Sequence, residues 1–437
     1  MGLQNIIFIL LSAGAVGFFI MNVRKVIRNV HLGRDLDRND RPSERWKTMG
    51  LVALGQSKML TRPVPAILHI FVYVGFVLIN IEVVEMFVDG VSGSHRFLSF
   101  LGGFYNFLIA FFETLAFLVT LGCAIFLIRR NILRLKRFIS KDLDGWPRTD
   151  ANLILITEIL LMSALFIMNA ADQTLQGMGS HHYTKAGSFP VSSMLAPAFG
   201  GLQEGTLIFI ERFCWWFHII GILAFLNYVI ISKHFHILLA FPNVFYSNLN
   251  PKGQFTNLAS VTNEVKAMMD PSFTPPPHDP DKPLRFGAKD VMDLSWKQLL
   301  DAYTCTECGR CSSACPANIT GKMLSPRKIM MDTRDRLEEV GKNIDRNGGT
   351  FKDDEKSLLG NYITPEELWA CTSCNACVQE CPVNIDPLSI IIDMRRYLVM
   401  EQSAAPAGLN LMFTNVENNG APWQFSPADR FNWASEK

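Results

Sequence analysis

The apolar positions of this chain crowd into its first 240 residues, in five runs at 3–21, 64–88, 104–128, 152–170 and 206–231. Each is close to the ~20 apolar residues that carry a helix across a bilayer. The first run has no basic stretch before it; Arg24, Lys25 and Arg28 follow it. That order predicts an uncleaved spanning helix with its N-terminus outside, not a signal peptide. Past the fifth run the pattern changes. Residues 233–269 are mixed and partly amphipathic. Residues 270–286 hold Pro271, Pro275, Pro276, Pro277, Pro280 and Pro283, which reads as a stiff, extended linker. Helical periodicity returns at 290–303. Ser325-Pro326 reads as an N-cap with proline at the first helical position, opening a helix at 327–340. Thr364-Pro365-Glu366-Glu367 reads as a capping box with proline in the same place. A further helix is expected at 387–400. No clear strand pairs interrupt these elements, so the expected fold class is all-α.

Charge orients the spans. Ten Lys/Arg lie between spans one and two, from Arg24 to Arg62, and seven between spans three and four, from Arg129 to Arg148. The other two loops carry one each, Arg96 and Lys185. By the positive-inside rule the C-terminal half faces the cytoplasm of a bacterial or archaeal cell, whose inner membrane holds the spans. The net charge of +1 gives no sign of a nucleic-acid partner.

Eight of the ten cysteines stand in two runs near the C-terminus. Cys305, Cys308, Cys311 and Cys315 precede Pro316; Cys371, Cys374, Cys377 and Cys381 precede Pro382. Each run reads C-x2-C-x2-C-x3-C-P, the spacing of two-cluster bacterial ferredoxins, in which the fourth cysteine serves the other cluster. Cys305, Cys308, Cys311 and Cys381 are therefore expected on one [4Fe–4S] cluster, and Cys371, Cys374, Cys377 and Cys315 on the second. Zinc sites also use C-x2-C, but in separated pairs rather than a crowded run of four made twice. Disulfides do not suit reactive thiols in a reducing compartment. Cys123 and Cys214 stand alone in apolar runs and read as small core hydrophobes. The expected division is a membrane domain at 1–240, a linker at 241–286, a helical dicluster ferredoxin domain at 287–402 and a tail at 403–437.

Three of the nine histidines mark the spans. His69 lies near the inner end of span two, His218 in the outer half of span five, and His236 just past its inner end. On one continuous helix, His218 and His236 would share a face about 27 Å apart. His69 and His236 share the inner level and are candidate ligands of a b-haem across two helices. His234 points away from that face and reads as interfacial. His218 has no partner at its own level, because Ile79 stands ten residues after His69. Hydrogen bonding within the bundle is the plainer role for such a histidine. Glu82 and Glu113 lie toward the outer side and are candidates for a quinone-side proton path.

These residues resemble known families. Five spans, the Leu68-His69-Ile70 start to span two and the histidine pair on span five resemble the cytochrome b subunit of respiratory nitrate reductase. That resemblance implies two b-haems, each with one ligand from span two and one from span five. His69, His218 and His236 match three ligands; Ile79 occupies the fourth. The soluble half is similar to the helical dicluster subunit of heterodisulfide reductase, whose partners carry paired CCG motifs. Asn418 to Trp423, Arg430 and Trp433-Ala434 resemble the segment that leads into CCG domains in fused relatives, and no CCG is present here.

The expected function is a membrane subunit that passes electrons between the quinone pool and a cytoplasmic partner, through b-haem and two [4Fe–4S] clusters. No nucleophile–base set or nucleotide loop is evident, so substrate chemistry is expected in a separate CCG-domain subunit. The rivals are a membrane-anchored iron–sulfur redox sensor without haem, and a structural zinc protein. Five aromatics in the tail, Phe413, Trp423, Phe425, Phe431 and Trp433, are expected to anchor the partner.

Overall fold

In a computed structural model, residues 2–277 and 285–435 are described. Pro280 and Pro283 of the expected linker lie outside them. The fold is all-α. Among the described residues, five helices are long and apolar enough to cross a membrane. They are Leu3–Val30, Pro63–Ser92, Gly103–Leu127, Trp146–Met178 and Glu204–Val229. The second packs on the third, the fourth on the fifth, and the first lies against the second and fifth. Most of the first span faces outward, but Phe8 is buried against Phe87, Trp215 and Trp216.

The C-terminal domain sits on one end of this bundle, here the near end. Helix Trp296–Thr304 starts from Ser295, whose hydroxyl accepts from the Gln298 N–H while Gln298 Oε1 accepts from the Ser295 N–H. The expected helix at 290–303 is thus two pieces, a 3-10 turn Val291–Asp293 and this helix. Pro326–Arg346 is capped by Ser325 and Pro365–Trp369 by Thr364, with Glu367 completing the box. Pro387–Met400 follows the second cysteine run. The tail, which shows no clear period, contains the helix Ala407–Asn419. Among the described residues only isolated bridges occur, one joining Arg34 to Ser295. There Arg34 N–H donates to the Leu294 carbonyl at 2.7 Å and Trp296 N–H to the Arg34 carbonyl at 3.0 Å.

The two halves share one core. Val26, Val30, Phe225, Val229, Ile230 and Phe235 belong to the same buried cluster as Val291, Leu299, Ile329, Leu337 and Ile390. Burying each such side chain stabilises the join by roughly 1.5–3 kcal/mol where water is displaced. Polar groups fix the register. Arg327, 2% exposed, pairs with Asp142 at 2.8 Å and donates to the Arg137 carbonyl at 2.7 Å. The boundary expected at 240 falls within the helix His236–Phe245, which is packed against Trp296–Thr304.

Candidate metal and cofactor centres

The two cysteine loops have the same backbone. In the first, Glu307 and Gly309 take positive φ (55° and 72°); in the second, Ser373 and Asn375 do (56° and 59°). These are the positions two and four past the first cysteine of each run. Left-handed residues there turn the chain tightly enough for three sulfurs to share one side. Each loop then enters a short helix, Arg310–Ala314 or Ala376–Glu380, and these two pack together. That pairing brings each fourth cysteine to the opposite loop. Cys305, Cys308, Cys311 and Cys381 line one hollow, with Cys377 also on its wall. Cys315 stands close enough to Cys371 and Cys377 to act on both thiols electrostatically. The Cys381 sulfur accepts from the Ile385 N–H at 3.3 Å, and Cys371 from Ser373 at 3.4 Å.

Burial pushes the Cys305 thiol up to about 12 and Cys381 up to about 11. A thiolate is thus disfavoured in these pockets until a cation shares them, which is the chemistry of a sulfur donor set for iron. Each set has two buried cysteines, Cys305 and Cys381 in one and Cys315 and Cys377 in the other, and Cys374 of the second set is exposed.

The histidines are arranged differently from the single-helix expectation. The fifth span ends at Val229, so His218 and His236 do not lie on one continuous helix. Ser232 Oγ accepts from the His234 N–H and opens a 3-10 turn, Lys233–Phe235, before helix His236–Phe245. The break turns His234 inward, not to an interface. Its ring lies 5.5 Å from His236, 5.5 Å from Phe225 and 6.4 Å from Phe76. Burial, with His236 and His69 beside it, pushes His234 down to about 3. Burial also lowers His236, against the pull of the Lys233 carbonyl that its Nδ1 meets at 3.0 Å. Three imidazoles therefore gather at the near end: His69, His234 and His236. His69 Nδ1 and His234 Nε2 are buried without a hydrogen-bond partner. Orphaned imidazole nitrogens of this kind fit a haem iron or another metal. The sequence reading misses His234 because it assumes one helical register.

This histidine segment is tied to the first cysteine loop. Lys233 Nζ pairs with Glu307, between Cys305 and Cys308, and Arg334 pairs with the same carboxylate at 2.8 Å. Burial pushes Glu307 up, but Lys233 and Arg334 outweigh it and hold the carboxyl below its ordinary value.

At the far end, Glu82 is buried on the wall of a cavity of about 480 Å³, with Phe8, His95, Asp172, Arg212 and Trp215. Glu113 does not line it. Its carboxylate accepts from the Val191 N–H at 2.8 Å, from the Ser192 N–H at 3.3 Å and from the Ser192 hydroxyl. Glu113 is a fastener for the loop after the fourth span. Arg96, counted as a loop charge, is 7% exposed and donates to Asp172 at 2.7 Å and Asn169 at 2.9 Å. His218 Nδ1 meets the Leu161 carbonyl at 2.9 Å, within the bundle.

Residues 304–385 match the 4Fe-4S dicluster domain family. The chain is 29% identical to the probable iron-sulfur-binding oxidoreductase FadF of Bacillus subtilis (strain 168), over 99% of this chain and 61% of that protein. It is 27% identical to the EtfAB:quinone oxidoreductase of Syntrophomonas wolfei, over 92% of this chain and 56% of that one. A shorter match, 27% identical over 27% of this chain and 60% of the relative, is to one subunit of the ferredoxin/F(420)H(2)-dependent CoB-CoM heterodisulfide reductase of Methanosarcina acetivorans. The chain thus spans about three-fifths of the length of the first two relatives (61% and 56%). No solved structure matches it. A five-helix bundle joined to a 4Fe–4S dicluster domain, similar over nearly its whole length to an iron–sulfur oxidoreductase, is what the chain comprises.

Proposed function

We propose that the chain is a membrane electron-transfer subunit linking the quinone pool to a cytoplasmic partner. The observation that carries the reading is the tie from Lys233 to Glu307. It holds the segment bearing His234 and His236 against the loop bearing Cys305 and Cys308, so a redox group on the imidazoles would neighbour one on the thiols. The residues that would hold the clusters are Cys305, Cys308, Cys311 and Cys381 for one, and Cys371, Cys374, Cys377 and Cys315 for the other. His69 and His236 would hold a b-haem. Haem and clusters supply one-electron storage in series.

The chain's own residues do the rest. The Lys233 carbonyl keeps a proton on His236 Nδ1 and leaves Nε2 as a lone-pair donor. Quinol oxidation releases two electrons and two protons, and Glu82 is one of five carboxylates on the far-end cavity, with Glu85, Asp89, Asp172 and Glu211, that could take a proton there. A relative named as an EtfAB:quinone oxidoreductase agrees with a quinone role. The ring of loop cations supports a near end in the cytoplasm and an N-terminus outside. A separate CCG-domain subunit is the proposed partner, in keeping with relatives that are heterodisulfide reductase subunits.

The test is haem content in His69→Ala, His234→Ala and His236→Ala, each made alone, with iron–sulfur EPR recorded alongside. His69→Ala and His236→Ala should each lose the same haem and keep the iron–sulfur signals. Full haem in both would sink the reading and favour a haem-free iron–sulfur sensor.

A further inference from the structure

The two cysteine loops share a backbone but not their surroundings. The first loop and Cys381 face the near end of the bundle. Lys58, between the first and second spans, donates to the Val378 carbonyl at 3.1 Å and to Asn384 Oδ1 at 2.9 Å, on either side of Cys381. Arg137, between the third and fourth spans, lies on the first loop. A Cβ at Gly309 would stand 3.2 Å from the Arg137 carbonyl oxygen and 3.4 Å from its Cβ.

Several other charges at this surface are paired. Arg62 meets Glu380 at 2.9 Å and Arg310 meets it at 3.7 Å. Glu307 is shared by Lys233 and Arg334, and Asp142 holds Arg327. Lys58 and Arg137 have no ion-pair partner among the described residues; Lys58 bonds to neutral oxygens and Arg137 lies over the Phe138 ring. Both nonetheless feel the sulfurs: Cys381 acts on Lys58 and Cys308 on Arg137. Among the described residues the second loop has one such cation, Arg395, which acts on the Cys371 sulfur, lies over Trp369 and donates to the Cys371 carbonyl at 2.5 Å; it comes from the ferredoxin domain itself, and the buried Asp386 carboxyl acts on Cys377 in the opposite sense.

We propose that Lys58 and Arg137 are positioning residues that raise the reduction potential of the membrane-side cluster, held by Cys305, Cys308, Cys311 and Cys381, and leave the other cluster unmoved. The inference rests on the two-cluster reading above. Reduction adds one negative charge to a cluster, and a half-buried cation close by with no ion-pair partner favours that form. The membrane bundle, not the ferredoxin domain, thus tunes the cluster next to it. The cluster beside exposed Cys374 becomes the port to the cytoplasmic partner.

The test is an EPR-monitored redox titration of the full chain in detergent. Cys311→Ser and Cys374→Ser first assign one signal to each cluster. Lys58→Gln and Arg137→Gln should then each move the membrane-side cluster to lower potential and leave the second where it was. Lys58→Arg should keep the unsubstituted value. The proposal is overturned if neither glutamine variant moves that cluster, if both clusters move together, or if Lys58→Arg shifts it as far as Lys58→Gln. Failure of the underlying reading is seen earlier and separately: the unsubstituted chain would then lack two [4Fe–4S] signals and about eight iron atoms, and both ideas would go.

Discussion

Cys315 belongs by sequence to one loop and by position to the other. The packing of Arg310–Ala314 on Ala376–Glu380 sets it beside Cys371 and Cys377. Cys315→Ser should therefore damage the cluster of Cys371, Cys374 and Cys377, read as loss of that EPR signal alone. Loss of the Cys305 signal instead would refute the crossed assignment. Asp332 gives a second residue-level test, in pH. Burial pushes its carboxyl up; Lys328 at 2.7 Å pulls it down without prevailing, and Glu367 adds to the rise, to about 6. An unfolded aspartate titrates at about 3.9. Between the two values the folded chain holds a proton that the unfolded chain has released, so stability falls as pH rises through that window. Asp332→Asn should remove this penalty, on the order of 3 kcal/mol above the window, while Lys328 keeps Glu367 at 2.9 Å. Melts should show the variant ahead of the unsubstituted chain near neutrality and level with it in acid. An equal gain at both would show that charge is not the cause.

Helix by helix, the spans were legible because each apolar run is longer than any soluble core helix needs. The caps at Ser295, Ser325 and Thr364 were legible in part, the first passing unnoticed inside a longer helical reading. The break after Val229 was not. Ile230 and Ile231 prolong the apolar run, and only the Ser232 hydroxyl reaching the His234 N–H reveals the turn. That one local bond moves His234 from an assumed interface to the imidazole group. Glu113 has partners that the sequence does not show: Val191 and Ser192 are far away along the chain and become its neighbours only once the fourth span is folded. Helix contact is close where Pro326–Arg346 meets the first span. A Cβ at Gly341 would stand 2.5 Å from Asn29 Nδ2, and Asn29 is held by Tyr303 at 2.9 Å. Gly341→Ala should therefore push these helices apart and cost roughly 1–3 kcal/mol, read as a lower melting temperature with iron content unchanged. An unchanged melt would mean that Asn29 gives way freely.

For the whole molecule, the tail carries exposed aromatic side chains. Leu411 and Trp423 are about half exposed, and Phe425, Phe431 and Trp433 largely so. Removing residues 403–437 should release the proposed partner on co-purification and leave haem and clusters in place; a partner still bound would move the interface elsewhere. The shared core has a different consequence. Some electron carriers work as a swinging head on a leash, and their turnover slows as the medium thickens. Here the join is buried side chains from Val26 to Phe235, locked by Arg327 on Asp142. A head joined in this way does not swing. Sucrose or glycerol should therefore leave internal electron passage as fast as it is in dilute buffer, and only the encounter with the outside partner should feel the drag.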